Sequence, residues 1–233
     1  MLLTHLSQEI NGGTFLPLYR ICYQKTGPAA YLSHLDLVRV MERAARRAGV
    51  PLAYSGGFNP HPKMVFASPL PVGVSGEAEL ADVETEREVS PGEWVEKLGA
   101  CLPRGIAVRR AARVDPGPKL PALVRQADYL LKGPLEKPLT PAELTRIIEV
   151  FLKRESILVT REIKGQSRTA DIRPGLAALT GQCAGGAVEL HLAMAVGVRA
   201  DDVLSALVKA GLPVDPAAVS VTRLAVRGDG ALI

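Results

Sequence analysis

The order in which periodic segments succeed one another constrains this chain more than any single residue. Leu18 to Tyr23 (LYRICY) alternates apolar and polar side chains, as a half-buried strand does. A Gly27-Pro28 turn follows, then Ser33 with Asp36 in capping position, and a helical run that stops at Gly49. Met64 to Ala67 and Ala78 to Glu84 read as strands. Ser90-Pro91-Gly92-Glu93 is a capping box with proline at the first helical position, opening a helix to about Leu102, and Ile106 to Val114 reads as a further strand.

The second half repeats that order without repeating the sequence. Asp128 to Lys132 suits a strand, and Thr140-Pro141-Ala142-Glu143 caps a helix that ends near Arg154. Ile157 to Ile163 and Arg168 to Ile172 form a hairpin around Lys164-Gly165-Gln166. Val188 to Val196 suits a central strand, Asp201 to Ala210 a helix stopped by Gly211, and Val219 to Val226 a last strand. Strand, helix, strand, strand, helix, strand is the split βαβ pattern. The expected fold is therefore α+β, two tandem ferredoxin-like (split βαβ) domains with antiparallel sheets and one extra hairpin. The expected boundaries are a lead-in over residues 1–15, an N-terminal domain over 16–115, a linker over 116–125 and a C-terminal domain over 126–229. The linker rests on the Pro/Gly-rich break Asp115 to Pro121 (DPGPKLP).

Between the first helix and the next strand lies Ala53 to Gly76 (AYSGGFNPHPKMVFASPLPVGVSG). Its glycines free φ and its prolines fix it, so it reads as a shaped loop presenting Asn59, His61 and Lys63. GxxxxGK[ST] and GxGxxG are both absent, which excludes the familiar nucleotide loops.

On the first helix Leu37, Met41, Ala44 and Ala48 share an inward face, while Asp36, Arg39, Arg43 and Arg46 recur on another, with Arg47 adjoining. Such a row either is an ordinary solvated face or holds phosphates through guanidinium hydrogen bonds. His34 falls in the first turn, where the helix dipole disfavours imidazolium; it either settles the turn or acts as a base. His61, between two prolines, is read as presented outward to an anion or as part of the loop's structure. Arg161, Lys164, Arg168 and Arg173 make the second-half hairpin basic, and Asp171 is read as pairing with a neighbouring arginine. His5 and His191 are weaker candidates.

Cys22, Cys101 and Cys183 are far apart, with no CxxC and no carboxylate at ligand spacing from a histidine, so no metal site is expected. The formal charge of +4 leans mildly toward anionic partners. No apolar run reaches bilayer length and the start lacks secretory character, so a cytoplasmic setting without membrane contact is expected.

The stretch YLSHLDLVRVMERAARRAGVPLAYSGGFNPHPKMVFASPLPVGVSGEAELADVE resembles the first half of the radical-SAM-linked proteins, and REIKGQSRTADIRP resembles that family's second signature. Members occur beside, or fused to, cobalamin-binding radical-SAM proteins, so the resemblance implies such a partner. Its segments map onto Ser33, His34, Asp36 and Arg39, onto Asn59, His61 and Lys63, and onto Lys164, Asp171 and Arg173. The iron–sulfur pattern CxxxCxxC is absent, so this chain is not expected to be the radical-SAM enzyme or to hold a cofactor.

The leading expectation is an accessory protein of a radical-SAM enzyme that binds RNA or presents substrate for tRNA or rRNA modification, with no catalysis of its own. Its anion-binding set would be Arg39, Arg43, Arg46, Asn59, His61, Lys63, Arg161, Lys164, Arg168 and Arg173, with Ser33, Asp36 and Asp171 structural. One alternative is a metal-independent endoribonuclease using His34 or His61 as base. The other is a protein–protein scaffold without RNA.

Overall fold

The computed structural model describes residues 16–163 and 165–228. The expected lead-in, His5 and Lys164 lie outside the described residues. In chain order the elements begin with β1 (Leu18–Lys25), α1 (His34–Ala48), β2 (Met64–Phe66) and β3 (Ser75–Glu84). There follow α2 (Pro91–Glu93), α3 (Gly99–Cys101) and β4 (Ile106–Val114), a π turn over Trp94–Leu98 joining α2 to α3. The second half has α4 (Leu120–Leu123), β5 (Gln126–Pro134), α5 (Pro141–Leu152), β6 (Leu158–Ile163) and β7 (Gln166–Asp171). It ends with β8 (Leu176–Ala184), β9 (Ala187–Ala195), α6 (Ala200–Lys209) and β10 (Ser220–Arg227).

Local chemistry places the helices where the sequence puts them. The Ser33 hydroxyl accepts the Asp36 N–H, and Gly49 takes φ 70° to end α1. The capping boxes at Ser90 and Thr140 are both formed, with Glu93 and Glu143 reaching back to the cap N–H.

One mixed, mostly antiparallel eight-stranded sheet runs through both halves in the order β4-β1-β3-β10-β5-β9-β8, with β2 also paired to β3. The halves meet where β10 lies parallel to β3, pairing Thr222 with Ser75 and Arg223 with Gly76. The β6–β7 hairpin forms its own two-stranded sheet. The sequence reading assigned no strand to Leu176–Ala184; β8 pairs with β9 along this segment at the edge of the main sheet.

Among the described residues three apolar clusters hold the fold together. Tyr19, Ile21 and Tyr23 pack with Leu37, Met41 and Ala44 of α1 and with Trp94 and Leu98. In the second half Leu131, Leu190 and Met194 pack with Leu144 and Phe151 of α5 and Val203 and Leu207 of α6. Cys22, which alternates with Ile21 and Tyr23 and so faces the other way, meets Leu80, Leu120 and Val124. The segment expected as a linker thus carries a fully buried side chain, Leu120. The Ala53–Gly76 stretch spans all of this: Ala67 enters the third cluster, while Val74 and Leu70 belong to the second-half core.

Candidate functional site: a basic helix face and a cavity between the halves

The Ala53–Gly76 loop is shaped as its composition implies. Its neck is tied by Lys63 N–H to Ala53 O (2.8 Å), Ser55 N–H to His61 O (2.8 Å) and His61 N–H to the Ser55 hydroxyl (3.0 Å). Gly57 sits at φ 101°, where a side chain would be strained. The tip is in solvent: Phe58 is fully exposed, and Asn59 and His61 are exposed. The Lys63 ammonium pairs with Glu84 at 2.7 Å.

On α1, Arg39, Arg43 and Arg46 stand in solvent on the face opposite the core. Asp36 is bonded by the Ser33 hydroxyl (2.6 Å) and more loosely by Arg39 (3.4 Å), which together hold its carboxyl below the usual range. Arg43 Nε donates to Arg39 O at 3.3 Å, and Arg46 pairs with Glu42 at 3.2 Å. The Tyr54 hydroxyl also donates to Glu42 (3.1 Å), so the loop neck leans on the arginine row. Neither His61 nor Lys63 contacts that row among the described residues. Arg47 differs from its neighbours by tying α1 to Cys101 O. His34 packs edge-on against the Phe66 ring, centroids 5.0 Å apart.

The second-half cluster divides. Arg173 donates to Leu152 O (3.0 and 2.9 Å) and to Leu176 O (3.3 Å), clamping the end of α5 to the start of β8. Asp171 accepts the N–H groups of Ile157 (2.8 Å) and Arg173 (3.0 Å), which hold it below the usual carboxylate range. Arg173, expected from sequence among the anion-binding residues, is thus placed on these backbone carbonyls. Arg161 and Arg168 face each other across the hairpin, a repulsive pairing relieved because Arg161 turns to Asp202 of α6 while Arg168 stays in solvent.

Arg161 also lines a cavity of about 380 Å³ between the halves. Ser68, Pro69 and Pro71 come from the Ala53–Gly76 loop, Tyr129 from β5, Arg223 from β10, and Val198 to Asp201 from the entry to α6. At its back lies a buried charge network. Arg223, with 3% of its side chain exposed, forks onto Glu79, with 1%; the Nε–Oε1 distance is 2.8 Å. Arg223 also donates to the Ser68 carbonyl and hydroxyl. Burial would pull the Arg223 guanidinium down, but the hydrogen bond and charge of Glu79 hold it above its ordinary value. Lys25 is 1% exposed and donates to Ala30 O at 3.0 Å. Burial lowers Lys25, partly opposed by Glu79 and reinforced by Arg223. Gly76 makes room for the fork, since a Cβ there would stand 2.6 Å from the Glu79 carboxylate.

Arg199, Arg223, Ser68 and Tyr129 were not among the residues singled out from sequence. The available signal was register: Arg223 occupies an inward position beside Val221 in an alternating strand, as Glu79 and Lys25 do in theirs. Among the described residues no three His, Cys, Asp or Glu side chains gather as a metal site, and no helix is long and apolar enough to cross a membrane.

No functionally curated protein matches the sequence. Among solved structures, a chain of the "Crystal Structure of a Cbf5-Nop10-Gar1 Complex" matches with TM-score 0.51 and 11% identity over 89% of this chain. A chain of the "Structure of H/ACA RNP bound to a substrate RNA containing 2'-deoxyuridine" matches with TM-score 0.49 and 12% identity over 94% of it. This chain spans 48% and 50% of those chains, about half their length, and at 11% identity the likeness to the first concerns the fold alone. At the level of sequence family, residues 18–205 of the 233 match one family, so the chain belongs to the uncharacterized proteins conserved in bacteria, DUF2344.

Proposed function

We propose that this protein binds RNA along α1 and presents it to a cobalamin-binding radical-SAM partner for modification, without catalysing a reaction itself. The observation that carries the RNA reading is the row Arg39, Arg43 and Arg46, held in solvent on one face of a well-capped helix. Guanidinium groups so placed donate to phosphate oxygens in pairs and release condensed counterions, a contact that does not depend on base sequence. Phe58, fully exposed at the loop tip, offers a ring on which an unpaired base stacks.

Two further features support the architecture behind this reading. Within the sheet, β4-β1-β3 with β2 and β10-β5-β9-β8 both follow the order fourth, first, third, second, as in tandem ferredoxin-like domains. The resemblance of Ser33–Asp36 (SHLD) and Gly57–Lys63 (GFNPHPK) to radical-SAM-linked proteins supports the partner.

The test is filter binding of bulk tRNA across a salt series, with wild-type protein and with Arg39→Gln/Arg43→Gln/Arg46→Gln. The triple variant should bind more weakly and lose about one unit of salt slope per arginine removed. Absence of affinity at low salt refutes RNA binding. Retention of a radical-SAM protein by the purified complex tests the second half of the proposal.

A further inference from the structure

We infer that the cavity between the halves binds a nucleoside 5′-monophosphate unit, with its phosphate toward the start of α6 and its base against Pro69, Pro71 and Tyr129. The size suits a small ligand: about 380 Å³ lies within the range of roughly 300–1,000 Å³ seen for such pockets, which favour sites between structural units.

The phosphate end follows from α6. Arg199 is its N-cap, and no side chain caps the helix there. The Ala200 and Asp201 N–H groups therefore have no side-chain acceptor, at the positive end of the helix dipole. Gly197, at φ 98°, makes the turn that brings this end to the cavity wall. Two arginines add to this helix end. The Arg199 carbonyl accepts the Asp202 and Val203 N–H groups, but its guanidinium has no hydrogen-bond or ion-pair partner among the described residues. Arg161 spends one nitrogen on Asp202, while its Nε is shielded from solvent without a partner. Lining or adjoining the cavity, Arg161, Arg199 and Arg223 stand against Glu79, Asp201 and Asp202, and Arg161 and Arg223 are already committed to Asp202 and Glu79. The uncommitted Arg199 guanidinium, the unpartnered Arg161 Nε and the helix dipole together suit a phosphate monoester.

The base end follows from the rest of the lining, where two proline rings and the Tyr129 ring give flat apolar surfaces. Arg223 is fully engaged with Glu79 and Ser68, so it shapes the wall rather than gripping the ligand. The source of the nucleotide is either the free cellular pool or the 5′ end of an RNA, and both present the same chemistry.

Isothermal titration with AMP, GMP, CMP and UMP, with the matching nucleosides, and with a trinucleotide bearing or lacking a 5′ phosphate tests the proposal. Saturable 1:1 binding of at least one phosphorylated species is expected, with the unphosphorylated counterpart weaker by about tenfold or more. Arg199→Glu, at an exposed residue whose side chain supports no other contact, should lower affinity at least as much, whereas Arg39→Gln/Arg43→Gln/Arg46→Gln should leave nucleotide binding unchanged. Binding of free nucleotides assigns the pool as source; binding of the phosphorylated trinucleotide alone assigns an RNA end. The proposal is overturned if no phosphorylated species binds, if nucleosides bind equally well, or if Arg199→Glu changes nothing. Because the α1 row and the cavity are probed by separate variants, failure of RNA binding and failure of this site are distinguishable.

Discussion

Replacing Glu79 by Gln removes one negative charge from the seam between the halves while keeping the side chain's shape. What remains is Arg223, 3% exposed, and Lys25, 1% exposed, with no carboxylate between them. Breaking a buried pair by removing one partner costs about 3–5 kcal/mol, because the orphaned ion stays desolvated. Lys25, also buried and within the field of Glu79, loses an offsetting charge as well, so the cost is a large part of a total stability of about 5–15 kcal/mol. At a urea m-value of about 3 kcal/mol/M, the midpoint should fall by about 1–2 M. The exposed pair supplies the control: Arg46→Gln, which breaks a contact to Glu42 with 73% of the arginine side chain exposed, should move the midpoint far less.

Two further readouts follow from the same network. Glu79→Met combined with Arg223→Met should be less damaging than Glu79→Met alone, since no uncompensated guanidinium remains. Lys25 lies below its ordinary pKa of 10.5, so in the window between its folded value and 10.5 the unfolded chain binds more protons and stability rises with pH. Losing Glu79 lowers Lys25 further and widens that window downward. A Glu79→Gln midpoint no lower than that of Arg46→Gln would refute the claim that this fork joins the halves.

Three other outcomes are expected. Lys97's ammonium, followed by the Ser90 N–H and hydroxyl, brings Glu93 down to about 2; its stabilising contribution is complete above about 4.5 and is lost as pH falls toward 2, so Glu93→Gln should flatten acid unfolding in that window. Leu120→Ala should cost about 2–5 kcal/mol in chemical denaturation, because its side chain is fully buried against Cys22 and Leu80; a cost typical of an exposed linker would contradict the packing described. Arg173→Met should lower thermal stability while leaving RNA affinity unchanged, since its guanidinium serves the carbonyls of Leu152 and Leu176.

What was legible from the residues had local causes. Ser33, Ser90 and Thr140 mark helix starts because their hydroxyls satisfy N–H groups within one turn, and Gly49 marks an end by taking φ 70°. β8 (LAALTGQCA) went unread because alanine, glycine and threonine carry little apolar alternation; it becomes a strand by pairing with β9. Residues 116–125 read as a break from their Pro/Gly content, yet Leu120 and Val124 are held by a cluster whose members come from both halves. The arginine row on α1 was visible in its spacing. The cavity was not, because Ser68, Arg161, Arg199 and Arg223 converge only when β10 pairs with β3. For Arg173 the charge is legible in the sequence, but not the carbonyls that it serves.

The central claim, that α1 is an RNA-binding face, is tested most directly by measuring tRNA affinity against salt concentration for wild type and for Arg39→Gln/Arg43→Gln/Arg46→Gln. The account predicts measurable binding at low salt, a linear fall of log affinity with log salt, and a slope shallower by about three in the triple variant. Affinity absent at low salt, or a slope unchanged by the triple substitution, would contradict it.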